Sequence, residues 1–547
     1  MDILSAKRDT LARLLLLAAV VCSFSFVYLP LVGKIWFFND DPLWIWTSST
    51  TSVKDIFFSP EKYRQMSPFF TPLLGASFKI DWMLFGLNPD GYYFHSLLSL
   101  CAAATALYVF LRLYGTETSA LTGLLLFVLS PLTLSITTWF AARHYLEGLF
   151  WSLLGLTLFV RADRKGKISF SSGIFYLLAA LSKEVYVVVP MVALLLSRGG
   201  FWVRLKSTAP LWAALILYLP WRFWMLGGKG GYLDMQPLSI ESLMPIFSNI
   251  VRFLSHLHTN PGVFLYLLLF AALAIALKGV RLSHITRAFL VLLVLIIPIL
   301  PVSYRVTFSS RYFFHMSLFV ICLVSLLVEY PTATKGVLRR GGALFLCLIL
   351  GFVFVKEDIL MTRSVVRERA ETKGEATRFI SAREPYINVA LFVGFYEPLR
   401  KIYAKFFGRD IKTQLVPIEK ALRYCDPEKL SEMRVSGIDI PYDQIMSFQK
   451  QWRDGPLSVR MTLSQYRLTW DFGPEKEKPY SLVAGTTSGF YYAHVSINPT
   501  GSVLFTGPSL FYIRVIREIP GGEITVISPE FVLRVPGEET ILHGDTD

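Results

Sequence analysis

The sequence predicts a membrane α-helical protein: a bundle of about eleven transmembrane helices over residues 1–357, then a C-terminal soluble domain over 358–547 that is α/β at first and β-rich later. Three observations predict it. Hydrophobic residues make up 53% of the 547, and the mean hydropathy of +0.48 is too high for a soluble chain of this length. Apolar runs near the roughly 20 residues that a helix needs to cross a hydrocarbon core recur up to residue 357 and then stop. Beyond that point short alternating runs are punctuated by Gly, Pro and Asn, the pattern of antiparallel strands.

The first run, 11–32, is long for a signal-peptide core and has no small-residue cleavage site before the aromatic stretch FFNDDPLWIW, so it reads as a retained helix. Residues 33–91 hold no span. Their segment SPFFTPLLGASFKIDWMLFGLNPDGYYFH interleaves aromatics with Pro and Gly, which predicts short helices lying in the membrane interface. Further spans are expected near 92–113, 118–136, 143–161, 169–182, 185–198, 208–226, 262–278, 286–303, 312–329 and 341–356. Those flanking Ser182-Lys183-Glu184 have about 14 residues each, roughly 21 Å of helix. They predict a short hairpin with its tip in protein or an aqueous cavity.

After the last span, 358–384 is charged and helix-like, and Val389–Gly394 reads as a buried strand leading into the helix EPLRKIYAKFF. From about 457 onward, LSVRMTLSQYRLTW, GFYYAHVSI, SLFYIRVI and EITVI read as strands of an antiparallel sheet.

The net charge is +14, but the basic residues gather between apolar segments rather than on one face, which points to membrane lipids and away from nucleic acid. Lys7-Arg8, the Arg161–Lys167 loop, Arg198 with Arg204 and Lys206, Lys278 with Arg281 and Arg287, and Lys335 with Arg339-Arg340 all fall on one side of an alternating path. That side is expected to be cytoplasmic, with the N-terminus there and with 33–91, 227–261 and everything past 357 outside. Four of the five cysteines lie in apolar segments, so no disulfide framework is expected in the C-terminal domain. No Asn-X-Ser/Thr acceptor with X other than Pro occurs, and the expected location is a bacterial inner membrane, multi-pass.

Adjacent acids Asp40 and Asp41 among aromatic residues raise the question of chemistry. Two neighbouring carboxylates at a membrane surface repel each other and lose hydration, so they persist if solvated, paired or used. A solvated turn fixed by Pro42 is one reading. Cations recur on the same face: Arg143 with His144, Lys183 with Glu184, Arg222, Arg305 and Arg311. Singly, each reads as a snorkelling side chain or a structural pair. Together, opposite an acid pair, they are suited to binding a phosphate while a hydroxyl is activated. His256 and His258 read as a surface pair rather than metal ligands.

The order Asn39-Asp40-Asp41, Pro68-Phe69-Phe70-Thr71-Pro72-Leu73, Phe85-Gly86-Leu87-Asn88-Pro89, Ala141–Phe150 and Leu181-Ser182-Lys183-Glu184 resembles the GT-C membrane glycosyltransferases. Within these it is most similar to the protein mannosyltransferase type that uses polyprenyl-phosphate sugars. Arg311-Tyr312 is similar to that family's Glu-Arg-Tyr element, with Ser310 in place of the acid, and Tyr93 stands where relatives often have His. The resemblance covers roughly residues 10–355 and implies a GT-C-type bundle with interfacial helices in its first outer loop. It implies transfer of a hexosyl or pentosyl group, with inversion, from a polyprenyl-phosphate donor to a glycan, lipid or protein acceptor outside the membrane. Asp40 is then the general base and Asp41 orients the acceptor or local cations, with swapped roles left open. Arg143, His144, Lys183, Arg222 and Arg311 are candidates to hold the donor phosphate, with Glu184 as partner of Lys183. No cofactor is expected; a divalent ion on carboxylates such as Asp40, Asp41 and Asp234 is the lesser alternative. Two other classes compete. A polytopic transporter would show broken segments in two matching halves, which the sequence lacks. A catalytically silent assembly protein that binds glycans would not need the acid pair.

Overall fold

The computed structural model describes residues 3–228, 282–299, 314–327, 336–381, 386–387, 393–409, 452–454, 457, 459–465, 467–472, 480–485, 493–505, 509–518, 525–535 and 537–543. The chain forms two compact units, Met1–Ala370 and Glu371–Asp547. The division falls inside the helix Gly336–Ser381, later than the sequence boundary at 357.

The first unit is helical. Helix α1 (Ile3–Val27) is followed by four short helices, α2 (Asp41–Thr50), α3 (Val53–Phe58), α4 (Pro60–Met66) and α5 (Pro72–Phe85). These have 10, 6, 7 and 14 residues, too few to cross a bilayer, as the interrupted sequence requires. Proline sits in the first turn of α2, α4 and α5, where its missing N–H has no helical partner to lose. Gly86, at φ 57, ends α5, a backbone angle that a side chain would strain. Asn88 then caps α6 (Pro89–Leu111) by accepting the Asp90 N–H.

Four described helices are long and apolar enough to cross a membrane, Thr10–Leu31, Pro89–Leu111, Phe140–Asp163 and Ala209–Leu226, and the chain is a multi-pass membrane protein. The expected span 118–136 is not one straight helix. It is α7 (Glu117–Val128) and α8 (Pro131–Thr137), bent by 58° where Pro131 interrupts the hydrogen-bond ladder. After α9 (His144–Asp163), α10 (Phe170–Ser182) and α11 (Val189–Leu196) make the short hairpin, with Lys183 extended at φ −155, ψ 134 between them. Then come α12 (Phe201–Ser207) and α13 (Ala209–Leu226). Expected spans 286–303 and 312–329 coincide with the shorter apolar helices Thr286–Leu295 and Ser317–Leu326, and 341–356 lies within Gly336–Ser381. The expected span 262–278 lies outside the described residues.

Contacts sort the unit into two ends. At one end, Arg13 Nη1 meets Glu117 Oε2 at 3.0 Å, Arg164 Nη2 meets the Leu113 carbonyl at 2.5 Å, and Ser197 Oγ donates to Asp163 at 2.8 Å. Among the described residues, that end holds the Arg161–Lys167 loop and Arg198. At the other, Gly33 N–H donates to Asp90 at 2.9 Å and the Tyr93 hydroxyl donates to the Tyr28 carbonyl at 2.9 Å. The acid pair lies at this second end.

The second unit is β-rich. One five-stranded sheet has the order β1 (Tyr386–Ile387), β7 (Thr500–Phe505), β4 (Arg467–Asp471), β3 (Arg460–Gln465), β11 (Gly537–His543). A six-stranded sheet runs β2 (Trp452–Asp454), β9 (Thr525–Ile527), β8 (Ser509–Glu518), β5 (Tyr480–Gly485), β6 (Ala493–Ile497), with β10 (Phe531–Val535) also on β8. The pairs are antiparallel except β1–β7 and β2–β9. Burial alternates along β4 and β10, as the period-two sequence pattern demands. Register sets Met461 opposite Trp470 and Leu463 opposite Leu468, all buried. Residues 393–394 of the strand expected at 389–394 open the helix Val393–Phe407, and the short strand β1, Tyr386–Ile387, precedes it. Between them, 388–392 lie outside the described residues.

Candidate functional site

The acid pair is built by a tight turn. The Phe38 carbonyl accepts the Asp41 N–H at 3.0 Å, and Asn39 between them has φ 50, the left-handed region. Among the described residues no other non-glycine side chain takes a positive φ, and Asn tolerates that region better than most. Asp40 then stands at the N-cap of α2, its carbonyl accepting the Trp44 N–H at 3.1 Å.

The two acids have different surroundings. Asp41 is fully buried; its Oδ2 accepts the Phe38 N–H at 2.8 Å and its Oδ1 accepts the Ala141 N–H at 2.7 Å. It therefore staples its own turn to the start of α9. Burial pushes the Asp41 carboxyl up from 3.8 to about 7, against the downward pull of those two N–H donors and of Arg369. Asp40 is half-buried at the surface of the same turn. Aromatic rings pack round the staple: Phe37 lies edge-on to Tyr92 at 5.2 Å and to Phe140 at 5.8 Å, and Phe38 lies edge-on to Trp139 at 5.9 Å.

The sequence names Arg143 as a candidate to hold the donor phosphate. Its side chain is fully buried, with Nη2 2.6 Å from Asp81 and 2.7 Å from Ser77 Oγ, and Nε 3.0 Å from Glu147. Asp81 also meets His95 Nδ1 at 2.6 Å, and Ser77 Oγ donates to Glu147 at 2.7 Å. The guanidinium is committed inside the protein, where it neutralises two carboxylates and locks α5 to α9. His144 is also buried, stacked on Tyr145 at 4.8 Å.

The hairpin tip and α13 supply two further cations, Lys183 and Arg222. Lys183 Nζ lies 5.1 Å from the Phe69 ring centroid and 5.4 Å from that of Tyr145, and the residue is half-exposed. Glu184 is held by Arg222, whose Nε donates to Oε1 at 2.8 Å, and by the Phe70 N–H at 3.0 Å. The sequence names Lys183 as partner of Glu184; Arg222 of α13 also binds it. The start of α9 connects these groups, since Ala141 binds Asp41, Arg143 binds Asp81, and the Tyr145 ring faces Lys183.

Arg311, Arg305, Ser310, Asp234, His256 and His258 lie outside the described residues. Among the described residues, no group of three or more His, Cys, Asp or Glu side chains is arranged to hold a metal ion. Sequence reasoning missed Asp81, His95 and Arg369. Asp81 did leave a signal, as a lone acid in the apolar run of α5, and Arg143 with Glu147 has the i, i+4 spacing of a helix pair. Arg369 left none, because it sits in a charged stretch that reads as solvated.

No family model and no curated protein sequence matches the chain. Among solved structures it is similar to the Archaeoglobus fulgidus oligosaccharyltransferase in complex with zinc and sulfate, with 13% identity and a TM-score of 0.40. That likeness covers 63% of this chain and 52% of the other, so the chain spans about half the length of that protein. It is also similar to ArnT from Cupriavidus metallidurans in the apo state, with 13% identity and a TM-score of 0.39, over 71% of this chain and 84% of that one.

Proposed function

We propose that this chain is an integral membrane glycosyltransferase of the GT-C type that moves a hexosyl or pentosyl group from a polyprenyl-phosphate donor to an acceptor hydroxyl on the outer face of a bacterial inner membrane. The observation that carries the reading is the division of labour in the acid pair. Asp41 is buried with both oxygens engaged, while Asp40 stands half-buried beside it. A carboxylate fixed in place by its neighbour, at the end of the unit opposite the Arg161–Lys167 loop, is suited to taking a proton from a hydroxyl.

In this mechanism Asp40 accepts the acceptor's hydroxyl proton as that oxygen attacks the anomeric carbon. The bond from that carbon to the phosphate oxygen breaks, and polyprenyl phosphate leaves with the electron pair. A single displacement inverts the anomeric centre. The charge that develops on the phosphate needs cations close by, and Lys183, held between Phe69 and Tyr145, is the side chain best placed to supply one. Arg222 and Glu184 brace the hairpin tip that carries it. Arg143 serves by holding α5 and α9 together. Arg311 remains a candidate for the phosphate on the strength of the sequence resemblance. No metal or other cofactor enters these steps.

The test compares cell-envelope glycans and lipid-linked sugars, by mass spectrometry, in cells with and without the gene. The reading predicts a polyprenyl-phosphate sugar that accumulates and one envelope glycan that loses that sugar. Unchanged profiles for both would overturn it.

A further inference from the structure

Arg369 belongs to the helix Gly336–Ser381 and is 3% exposed. Its guanidinium carbon lies 3.6 Å from the centroid of the Phe38 ring, and its Nη2 lies 3.5 Å from the Thr138 carbonyl oxygen. Nη1 pairs at 3.1 Å with Glu368, a carboxylate that is 49% exposed. The Nε has no hydrogen-bond partner among the described residues. A guanidinium does not give up its charge, so a buried one must be answered by negative groups nearby. Two do so here: Glu368 and Asp41 both favour the cation against the cost of its burial.

The contacts of Arg369 repeat a relationship already made by Asp41. Asp41 joins the Phe38 N–H to the Ala141 N–H. Arg369 joins the Phe38 ring to the Thr138 carbonyl, three residues before Ala141. The same two segments are fastened twice, once by a carboxylate and once by a guanidinium. We infer that Arg369 is a positioning residue for the acid pair: a cationic second clasp that holds the Phe38–Asp41 turn against the 138–142 segment. The inference deepens the proposed function and rests on the reading of Asp40 as the base.

The groups that bear on the Asp41 carboxyl are Asp40 on its own turn, Arg369 from the long helix and, on α6, Tyr92. Of these Arg369 alone is a cation, and it favours the ionised acid. Removing it should raise the pH at which Asp41 takes up its proton.

The full-length protein in lipid nanodiscs allows a direct measurement without substrate. The infrared band of the protonated Asp41 carboxyl, identified by its loss in Asp41→Asn, is followed from pH 5 to 9 in the parent, Arg369→Met, Arg369→Gln and Arg369→Lys. Both neutral variants should move the titration up by about one pH unit, and Lys should restore most of the shift. Arg369→Gln keeps a polar group near Thr138 and covers the case in which the Met variant does not fold. With the donor that accumulates in cells lacking the gene, turnover at pH 6.5 should fall about tenfold in the neutral variants, while donor KM stays within about twofold. An Asp41 titration in Arg369→Gln identical to the parent would overturn the inference, as would an activity loss equal at every pH. A shifted titration together with full activity in Asp40→Asn would uphold the clasp and remove the base.

Discussion

Asp41 and Ala141 stand one hundred residues apart in the chain and are joined by a 2.7 Å hydrogen bond from the Ala141 N–H to Asp41 Oδ1. The bond ties the turn before α2 to the start of α9 inside an aromatic shell. It needs an acceptor on both carboxylate oxygens, because Oδ2 is engaged by Phe38. Asp41→Asn puts an NH₂ opposite one of those N–H groups, so the variant should lose about 1–3 kcal/mol of stability. Asp40→Asn should leave the melting temperature in detergent unchanged. Equal melting temperatures for the parent and Asp41→Asn would remove the staple.

The same burial has a sign with respect to pH. The Asp41 carboxyl is raised on folding to about 7, so the folded protein binds its proton more tightly than the unfolded chain does. The stability this adds is fully present below the ordinary value of 3.8 and is lost as pH rises through about 7. The difference in melting temperature between the parent and Asp41→Asn should therefore shrink from pH 5 to pH 8. A difference that grows over that window would contradict the assigned burial.

Arg143 answers Asp81 and Glu147 with no exposed surface of its own. Arg143→Met leaves two carboxylates without their cation, and the expected loss is about 3–5 kcal/mol, enough to abolish a cooperative melt. Donor binding that weakens in a variant of parental stability would return Arg143 to the phosphate.

Lys183→Met should leave folding intact, because the side chain is half-exposed between two rings, and should reduce donor turnover about tenfold or more. Parental kinetics with a polyprenyl-phosphate donor would make Lys183 a packing residue.

The apolar helices were legible because hydrophobic length is a local property: four of the expected spans fall on described helices long and apolar enough to cross a membrane, and others fall on shorter apolar helices or a bent pair. Even the bend in 118–136 has a local cause in Pro131. The acid pair was legible because two charges among aromatic residues demand a reason. The commitments of single cations were not legible. Arg143 reaches Asp81 across 62 residues and Arg369 reaches Thr138 across 231, and nothing in either segment announces the partner. Arg369 lies in VVRERAETKGEATR, a run whose charges read as solvent-facing, and its burial exists only once the helix packs against the turn.

The central claim is that Asp40 takes the proton of the attacking hydroxyl. Transfer of labelled sugar from purified polyprenyl-phosphate donor, measured for the parent and Asp40→Asn at matched stability, tests it most directly. The account predicts a fall in turnover of about 10² to 10⁴ with donor binding retained. Transfer by Asp40→Asn at the parental rate would contradict it.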